Sequence, residues 1–317
     1  YFYYLLPGLA LLLVGHVLLG VLQGEGLTRY IATASVISTL LNCVLDPFFI
    51  FTLGMGVPGA SLATSVAIGI TAVYVIGIFV LKKSAVPIRW SVLRAHGALV
   101  KEIVHIGSLQ SLGMMSVAVT FMLLNNLVSS IGQDLMNSWA LCGRTDQILL
   151  IPTFAISGAT ITMAGQNYGR NLPERVYHIY RLNLLAGIGL VAVFAVLYNL
   201  FSHPLFALFS SVPEVIESSV TQVRYLSFTF LGVTAGMISG SVFQATGKPL
   251  PAFIITLFRM VFVTVPLAFL LVRHYEMGIV GVFIGLGAGN VLALPLSVAW
   301  TLRYLRTMEV REPVPRP

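Results

Sequence analysis

The stretch TLLNCVLDPFFIF, residues 39–51, places a carboxylate inside an apolar segment that runs from Thr28 to Phe51. Asn42 lies four residues before Asp46, and Pro47 follows it directly. An acid at bilayer depth costs about 2.5–3.5 kcal/mol on insertion scales, so such residues generally line an ion or proton path rather than face lipid. The stretch therefore predicts a membrane protein with a functional acid at Asp46.

The composition of the whole chain agrees with a membrane location. Hydrophobic residues make up 57% of the 317 residues and charged residues only 9%, with a mean hydropathy of +0.92. These values lie outside the range of soluble globular domains. The net charge of +7 comes from short basic clusters between apolar segments, and basic residues placed in this way do not form the continuous basic face of a nucleic-acid-binding protein. We therefore expect a lipid bilayer as the partner and no nucleic acid.

Hydropathy divides the chain into nine segments of spanning length. Long, continuously apolar runs without alternation predict transmembrane helices rather than barrel strands, so the predicted fold is all-α, a polytopic helical membrane protein. The predicted segments are 1–22, 30–53, 58–81, 103–131, 138–165, 182–209, 220–246, 252–272 and 278–302.

Orientation is predicted from the Lys and Arg residues in the connections. Fourteen of the eighteen basic residues fall on one side of the predicted membrane. The positive-inside rule places that side, with the carboxyl terminus, in the cytoplasm, and nine helices then place Tyr1 outside. We expect a multi-pass protein of the plasma (inner) membrane.

The chain repeats itself at a nearly constant offset. Gln23-Gly24-Glu25-Gly26 resembles Gln244-Ala245-Thr246-Gly247. Pro47 aligns with Pro266, and the pair Gly56 and Gly59 aligns with Gly278 and Gly281. Helices one to three thus repeat helices seven to nine. Three further helices before Tyr1 would complete a parallel repeat of two six-helix lobes, so we expect a twelve-helix, two-lobe protein in full.

This repeat suggests a division of the chain into lobes. The predicted parts are a partial amino-terminal lobe at 1–81, a cytoplasmic inter-lobe loop at 82–102, a carboxyl-terminal lobe at 103–303 and a cytoplasmic tail at 304–317.

Five short motifs, in this order, resemble the multidrug and toxic compound extrusion family of cation-coupled antiporters. The motifs are Gln23–Gly26, Leu41–Pro47, Gly59–Thr64, Gly165–Gly169 and Phe243–Pro249. The resemblance covers essentially the whole chain. It implies export of amphipathic organic cations or drugs in exchange for H⁺ or Na⁺ by alternating access, with no cofactor beyond the coupling ion.

The same resemblance implies that Asn42, Asp46 and Thr64 form the coupling-ion site of the amino lobe. A further Asp that the family carries in its first helix has no match in this chain, nor do the carboxyl-lobe acids of another bacterial branch. The likeness is therefore nearer to the amino-lobe-coupled branch, often compared with the DNA-damage-inducible protein F group, lacking the first three helices.

Physical reasoning supports this trio independently of the resemblance. Residues at i and i+4 share a helix face, so Asn42 and Asp46 point the same way. Thr64 lies at a similar depth on the next predicted helix. Pro47 has no N–H to donate to the Cys43 carbonyl, which leaves an extra oxygen beside the acid. Either Na⁺ or a proton suits such a site, and a structural acid that pairs with a buried Arg such as Arg259 is the alternative.

A second group of residues inside the helices is a candidate substrate cavity or polar network. Arg144 and Asp146 lie in the fifth segment and Arg259 in the eighth, while Met115 and Met122 in the fourth suit an adaptable apolar cavity. Mutual neutralisation of Arg144 and Asp146, and ordinary packing of the methionines, are the alternatives.

Three alternatives to an antiporter follow from the same sequence. A flippase for lipid-linked precursors would use the same two-lobe frame, and a truncated product would not transport. A membrane-embedded enzyme would need a motif such as HExxH or GxSxG, and the sequence carries neither, so we expect no enzyme. The absence of a P-loop motif argues against ATP as the energy source, and we expect a monomer.

Overall fold

The computed structural model describes residues 2–87 and 97–308, and their regular secondary structure is entirely helical. Nine helical stretches in this part of the chain are long and apolar enough to cross a membrane, which confirms the predicted fold class. The helices are α1 (Phe2–Gly24), α2 (Thr28–Pro47), α3 (Val57–Val80), α4 (Gly97–Ser129), α5 (Gln133–Gly169), α6 (Pro173–Ala207), α7 (Pro213–Leu226), α8 (Phe230–Ala245), α9 (Leu250–Leu257), α10 (Val265–Arg273) and α11 (Gly278–Arg306).

Three of the nine spans contain a local change of helix type. A π-helical turn, Phe48–Thr52, continues α2, and a longer one, Phe258–Thr264, joins α9 to α10. A 3₁₀ turn, Ser227–Thr229, joins α7 to α8. Such π-segments occur frequently at functional sites because the inserted residue shifts which side chains face a neighbouring helix.

The observed helices differ from the predicted segments mainly in length. Helices α4, α5 and α6 begin about five to nine residues earlier than predicted, because hydropathy detects only the apolar part of a helix. Helix α4 starts at Gly97, so residues 97–102 of the predicted loop are helical. Helix α11 likewise continues to Arg306, inside the predicted tail. The rest of these two predictions falls largely on residues 88–96 and 309–317, which lie outside the described part of the chain.

The chain divides into two compact units, Tyr1–Ala95 and His96–Pro317. In the first unit, α1 and α2 both pack against α3, around the buried residues Leu22, Ala34, Val75, Ile78 and Phe79. Gly8 allows α1 and α3 to approach closely, because a Cβ there would lie 2.8 Å from the Cα of Ser65. The Ser65 hydroxyl fixes the same crossing by donating to the carbonyl of Tyr4 at 2.7 Å.

The second unit is built around α5, α8 and α11. Gly232 on α8 lies directly against the backbone carbonyl of Asn290 on α11, so any side chain at position 232 would collide with it. Close approach at small residues is a common way for membrane helices to gain packing contacts. The largest core cluster lies beside this crossing and includes Trp139, Phe230 and Phe283.

Corresponding turns in the two units contain glycines with similar positive φ angles. Gly26 and Gly247 both have positive φ angles, 80° and 72°, as do Gly56 and Gly278, at 57° and 58°. A Cβ on Gly59 would press on the backbone of Phe49, and one on Gly281, its counterpart in the repeat, would press on the backbone of Leu271. The local structure therefore supports the internal repeat. The same register places Pro47 opposite Phe269, so the sequence alignment of Pro47 with Pro266 is off by about one helical turn.

Candidate functional site

Asp46 lies in the last turn of α2, one residue before Pro47 and two before the π-helical turn. Its side chain is half-buried, and its Oδ1 atom is buried without a hydrogen-bond donor among the described residues. A buried carboxylate oxygen without a donor is costly unless a cation or a proton satisfies it. The Asp46 carboxylate can therefore accept a cation or a proton.

Asn42 and Thr64 make only local hydrogen bonds in the structure. The Asn42 amide Nδ2 donates to the carbonyl of Ser38 at 3.0 Å, and the Thr64 hydroxyl donates to the carbonyl of Ala60 at 3.0 Å. Both bonds turn the donor of the side chain back to its own helix, so the side-chain oxygens remain as the available ligands. Neither residue is hydrogen-bonded to Asp46 in the described part of the chain. The three-residue coupling-ion site stays a prediction.

The first unit also contains a cavity of about 290 Å³, whose mostly apolar wall includes several polar side chains. His16, Ser38 and Thr71 lie on its wall, and the His16 ring nitrogen Nδ1 lies 2.9 Å from the carbonyl of Leu12. Asp46 is not on this wall. Ser38 lines the cavity, and its carbonyl accepts the hydrogen bond from the Asn42 amide.

The second unit contains a larger cavity of about 480 Å³, within the range of about 300–1,000 Å³ typical of small-molecule sites. Its apolar wall includes Phe121, Trp139, Phe230, Met260 and Leu286. Its polar wall consists of Asn125, Asp146, Gln147, Gln222, Arg259 and Asn290.

Asp146 reaches this cavity from α5 and is held by neutral donors. The Tyr198 hydroxyl donates to its Oδ1 at 3.2 Å, and the Gln222 amide donates to its Oδ2 at 3.4 Å. Tyr198 is placed in turn by Thr145, to which its hydroxyl is hydrogen-bonded. These contacts orient the carboxylate without neutralising its charge.

Arg259 reaches the same cavity from the π-helical segment that follows α9. Its Nη1 donates to Asn290 Oδ1 at 3.4 Å, and the Asn290 amide donates to the Thr229 hydroxyl at 3.1 Å. Gly289 allows the backbone of this segment to approach α11, because a Cβ there would lie 2.8 Å from the Arg259 carbonyl. The guanidinium is thus positioned by an amide rather than by an acid. It also lines a second cavity of about 250 Å³.

The structure separates the other candidates of the second unit from this cavity. Arg144 is exposed and does not line the cavity, and Asp146 is bonded to Tyr198 and Gln222 rather than to Arg144. The expected mutual neutralisation of Arg144 and Asp146 is therefore absent from the described contacts. Met115 and Met122 are 59% and 70% exposed on α4 and lie outside the wall of the cavity, where Phe121 stands instead. Neighbours on one helix point to different sides, which hydropathy does not resolve.

Sequence reasoning missed several residues of the wall, namely Asn125, Trp139, Gln222 and Asn290. Three of them are amides in predicted spans, and polar residues at membrane depth usually face the interior of a bundle. That signal was present in the sequence. Which amide faces which charge depends on the packing of four helices.

Comparison with known proteins now identifies the family. The MatE family model matches residues 111–270, half of the chain. The chain belongs to the MatE family. The matched range includes Asp146, Trp139 and Arg259 and ends within α10. Assignment of this MatE chain to the amino-lobe-coupled branch stays a prediction.

Relatives of known name agree with this assignment. The probable multidrug resistance protein NorM of Thermotoga maritima is 28% identical over 305 residues, which cover 91% of this chain and 64% of that protein. A crystal structure of MATE in the bent conformation matches with a TM-score of 0.89 at 25% identity, covering 97% of this chain and 68% of the other. A MATE transporter, ClbM, solved in complex with Rb⁺, matches with a TM-score of 0.79 at 29% identity, covering 92% and 65%. This MatE chain thus spans about two thirds of the length of such relatives.

Proposed function

We propose that the protein is a secondary active antiporter that exports amphipathic organic cations or drugs in exchange for H⁺ or Na⁺. Membership of the MatE family and the multidrug resistance relative support transport of this kind. In alternating access, binding of the coupling ion on one side of the membrane changes the affinity for the cargo, so that cargo leaves as the ion enters.

The single observation that carries the proposal is the buried Oδ1 of Asp46, which has no hydrogen-bond donor among the described residues. In a spanning helix such an oxygen requires a positive partner. Asn42 lies one turn earlier on α2, and its carbonyl oxygen is not used by the bond to Ser38. Asp46 therefore binds the coupling ion, and Asn42 and Thr64 contribute neutral oxygens.

Both a proton and a monovalent metal ion suit this chemistry. Oxygen ligands are the ones that hard cations prefer, and the ClbM relative was solved with Rb⁺. A proton on the carboxyl group would remove the negative charge and satisfy the same oxygen. The proposal includes no other cofactor and no enzymatic activity.

The proposal places the protein in the plasma (inner) membrane with the carboxyl terminus in the cytoplasm. Arg303 and Arg306, in the last turn of α11, agree with the positive-inside rule for that end. The many exposed apolar side chains of the spans suit contact with lipid, and the protein acts as a monomer without nucleic acid as a partner.

The test is the flux of a fluorescent organic cation in vesicles that contain the full protein, under an imposed proton or sodium gradient. Asp46→Asn removes the charge and keeps the shape of the side chain. We expect the gradient-driven component to fall at least about a hundredfold, because the mutant cannot bind the ion whose gradient drives export. The gradient that drives the wild type identifies the ion.

Asp134→Asn is the matched control, since Asp134 is an exposed acid in the first turn of α5. It removes the same charge and should leave driven flux unchanged. Equal flux in wild type and Asp46→Asn would remove Asp46 from coupling. Absence of flux in the folded wild type, with transfer of a lipid-linked precursor in its place, would replace the antiporter with a flippase.

A further inference from the structure

The cavity of the second unit presents one acidic and one basic side chain that do not pair with each other. Asp146 and Arg259 both line it, yet among the described residues no nitrogen of Arg259 lies within 4.0 Å of the Asp146 carboxylate, the limit for an ion pair. The described partners of Asp146 are Tyr198 and Gln222, and that of Arg259 is Asn290, all of them neutral.

Two unpaired charges at membrane depth are costly, and that cost favours a ligand that compensates both. Neutral hydrogen bonds to each group orient it without cancelling its charge. A ligand with a single positive charge would satisfy Asp146 and bring its charge into a cavity that already contains Arg259. A ligand with a single negative charge would meet the reverse problem with Asp146.

The rest of the wall suits the apolar and cationic parts of such a ligand. Trp139, Gly143 and Asp146 lie three or four residues apart on α5 and face the cavity together. Trp139 is stacked on Phe283, and its indole N–H donates to Asn125 at 2.7 Å, so the ring is fixed. Aromatic rings beside a carboxylate bind ammonium groups through cation–π interactions. Arg259 is fixed at another part of the wall through Asn290, where it can hold a sulfonate, phosphate or carboxylate.

From this arrangement we infer that the cavity binds amphoteric amphiphiles, molecules that carry an ammonium group and an anionic group on one apolar body. The ammonium group lies at Asp146 and the aromatic wall, and the anionic group lies at Arg259. The inference names a cargo class and rests on the proposed transport function, although binding itself does not require transport. Both a soluble zwitterion and the headgroup of a zwitterionic lipid have this chemistry.

Binding can be followed through Trp139, because the chain has only two other tryptophans, Trp90 and Trp300. The full protein would carry Trp90→Phe and Trp300→Phe, with any tryptophan outside these 317 residues also replaced by Phe. In nanodiscs of anionic lipid it would report ligands by quenching of Trp139. The probes are benzyldimethyl(3-sulfopropyl)ammonium, benzyldimethylpropylammonium, which lacks the sulfonate, and 6-phenylhexane-1-sulfonate, which lacks the ammonium. We expect the zwitterion to bind at least tenfold more tightly than either singly charged probe.

Two substitutions assign the two ends of the ligand. Arg259→Gln should lower the affinity for the zwitterion and for the sulfonate about tenfold. The affinity for the ammonium probe should stay unchanged or rise. Asp146→Asn should lower the affinity for the zwitterion and for the ammonium probe about tenfold and leave the affinity for the sulfonate unchanged. Arg144→Gln, an exposed arginine outside the wall, is the matched control and should change none of the three affinities.

Other outcomes separate the sources and overturn the inference. If lipid headgroups enter the cavity, nanodiscs of zwitterionic lipid should lower the affinity for the zwitterionic probe by competition. If only soluble zwitterions enter, the affinity should stay unchanged. Equal affinity for the ammonium probe and the zwitterion, unaffected by Arg259→Gln, would make Arg259 a packing residue and refute the inference. Asp46→Asn should abolish driven flux and preserve this binding, so failure of the transport proposal and failure of the binding inference are distinguishable.

Discussion

The second span of the first unit, Thr28–Thr52, and its repeat counterpart in the second unit, Leu250–Arg273, contain opposite charges at membrane depth. Both spans contain a π-helical segment. Asp46 lies eighteen residues after the start of its span and Arg259 nine residues after the start of its own. Their positions along the two spans therefore differ by nine residues, about 14 Å at 1.5 Å per residue. The two spans therefore share a helix with a π-helical segment, but the charges that they carry differ in sign and in position along the span.

The difference comes from the neighbouring helix in each unit. In the second unit, α11 supplies Asn290, which holds the Arg259 guanidinium and is itself held by Thr229. The corresponding position of α3 in the repeat is Ile68, which has no polar group. One unit therefore fixes its charge by an amide, and the other leaves a carboxylate oxygen without a described donor. This comparison teaches that two copies of one helix arrangement can place charges of opposite sign in different polar surroundings.

The largest expected effect concerns the close helix crossing of the second unit and the corresponding position of the first unit. Gly232→Ala places a methyl group against the Asn290 carbonyl, and overpacking of this kind costs about 3 kcal/mol. The counterpart in the first unit is Leu11, which is 42% exposed, so Leu11→Ala should cost little. Thermal unfolding in detergent measures both. If Gly232→Ala unfolded at the same midpoint temperature as the wild type, the described crossing of α8 and α11 would be contradicted.

The next prediction contrasts two intramembrane amides. Asn290 is 1% exposed and bridges Arg259 to Thr229. Asn290→Ala leaves the Arg259 guanidinium without its described hydrogen-bond partner, whereas the Thr229 hydroxyl keeps its bond to the carbonyl of Leu226, so the change should cost about 2 kcal/mol. Asn42 bonds only to its own helix, so Asn42→Ala should change stability by less than about 0.5 kcal/mol. Denaturant or thermal unfolding compares the two variants.

Flux and ligand binding then sharpen this contrast. Asn42→Ala should lower the apparent affinity for the coupling ion, and Asn290→Ala should lower the affinity for the zwitterionic probe. The reverse assignment, with ion affinity lost in Asn290→Ala alone, would place coupling in the second unit.

A smaller effect concerns the crossing of the first and third spans of each repeat, which is α1 with α3 in the first unit and the Pro213–Ala245 span with α11 in the second. In the first unit the glycine lies on α1, where Gly8 contacts Ser65 on α3. In the second unit the glycine lies on α11, where a Cβ on Gly287 would lie 3.4 Å from Thr229 Cγ2. Gly8→Ala should cost about 1–2 kcal/mol, because the Ser65 backbone cannot move away. Gly287→Ala meets an ordinary contact and gains helix propensity, so it should be neutral or slightly stabilising. Unfolding midpoints that fall equally for both would show that the two crossings are equally tight.

The smallest predicted effect lies in the turn after α3. Glu25 accepts hydrogen bonds from the Ser84 hydroxyl at 2.8 Å and from the Val86 N–H at 2.9 Å. Glu25→Gln keeps an acceptor but loses the charge, at a cost of about 0.5–1 kcal/mol, so proteolysis within residues 82–87 should become faster. Arg29→Gln is the control, since the Arg29 side chain contacts Tyr30 and no ion pair with Glu25 is described. Faster cleavage in both variants would point to a general loosening of the turn.

Much of the fold could be predicted from the sequence because membrane helices follow a local rule. Every backbone group in lipid must be bonded within the segment, so long apolar runs become helices whatever their neighbours. The nine spans and the repeat follow from that rule and from glycines such as Gly56 and Gly278, whose positive φ angles favour glycine. The helix ends could not be predicted in this way, because α4 and α6 begin several residues before the apolar stretch that hydropathy detects.

The sequence by itself determined the fold class, the repeat and the unusual position of Asp46, because each depends on residue type and spacing along one helix. Only the tertiary structure decided that Asp146 and Arg259 share a cavity, that Arg144, Met115 and Met122 lie outside it, and that Asn290 rather than an acid holds Arg259. The physical reason is that a site assembled from several helices depends on the rotation of each helix about its own axis. Close contacts such as that of Gly232 with Asn290 fix this rotation, and a linear pattern does not contain it.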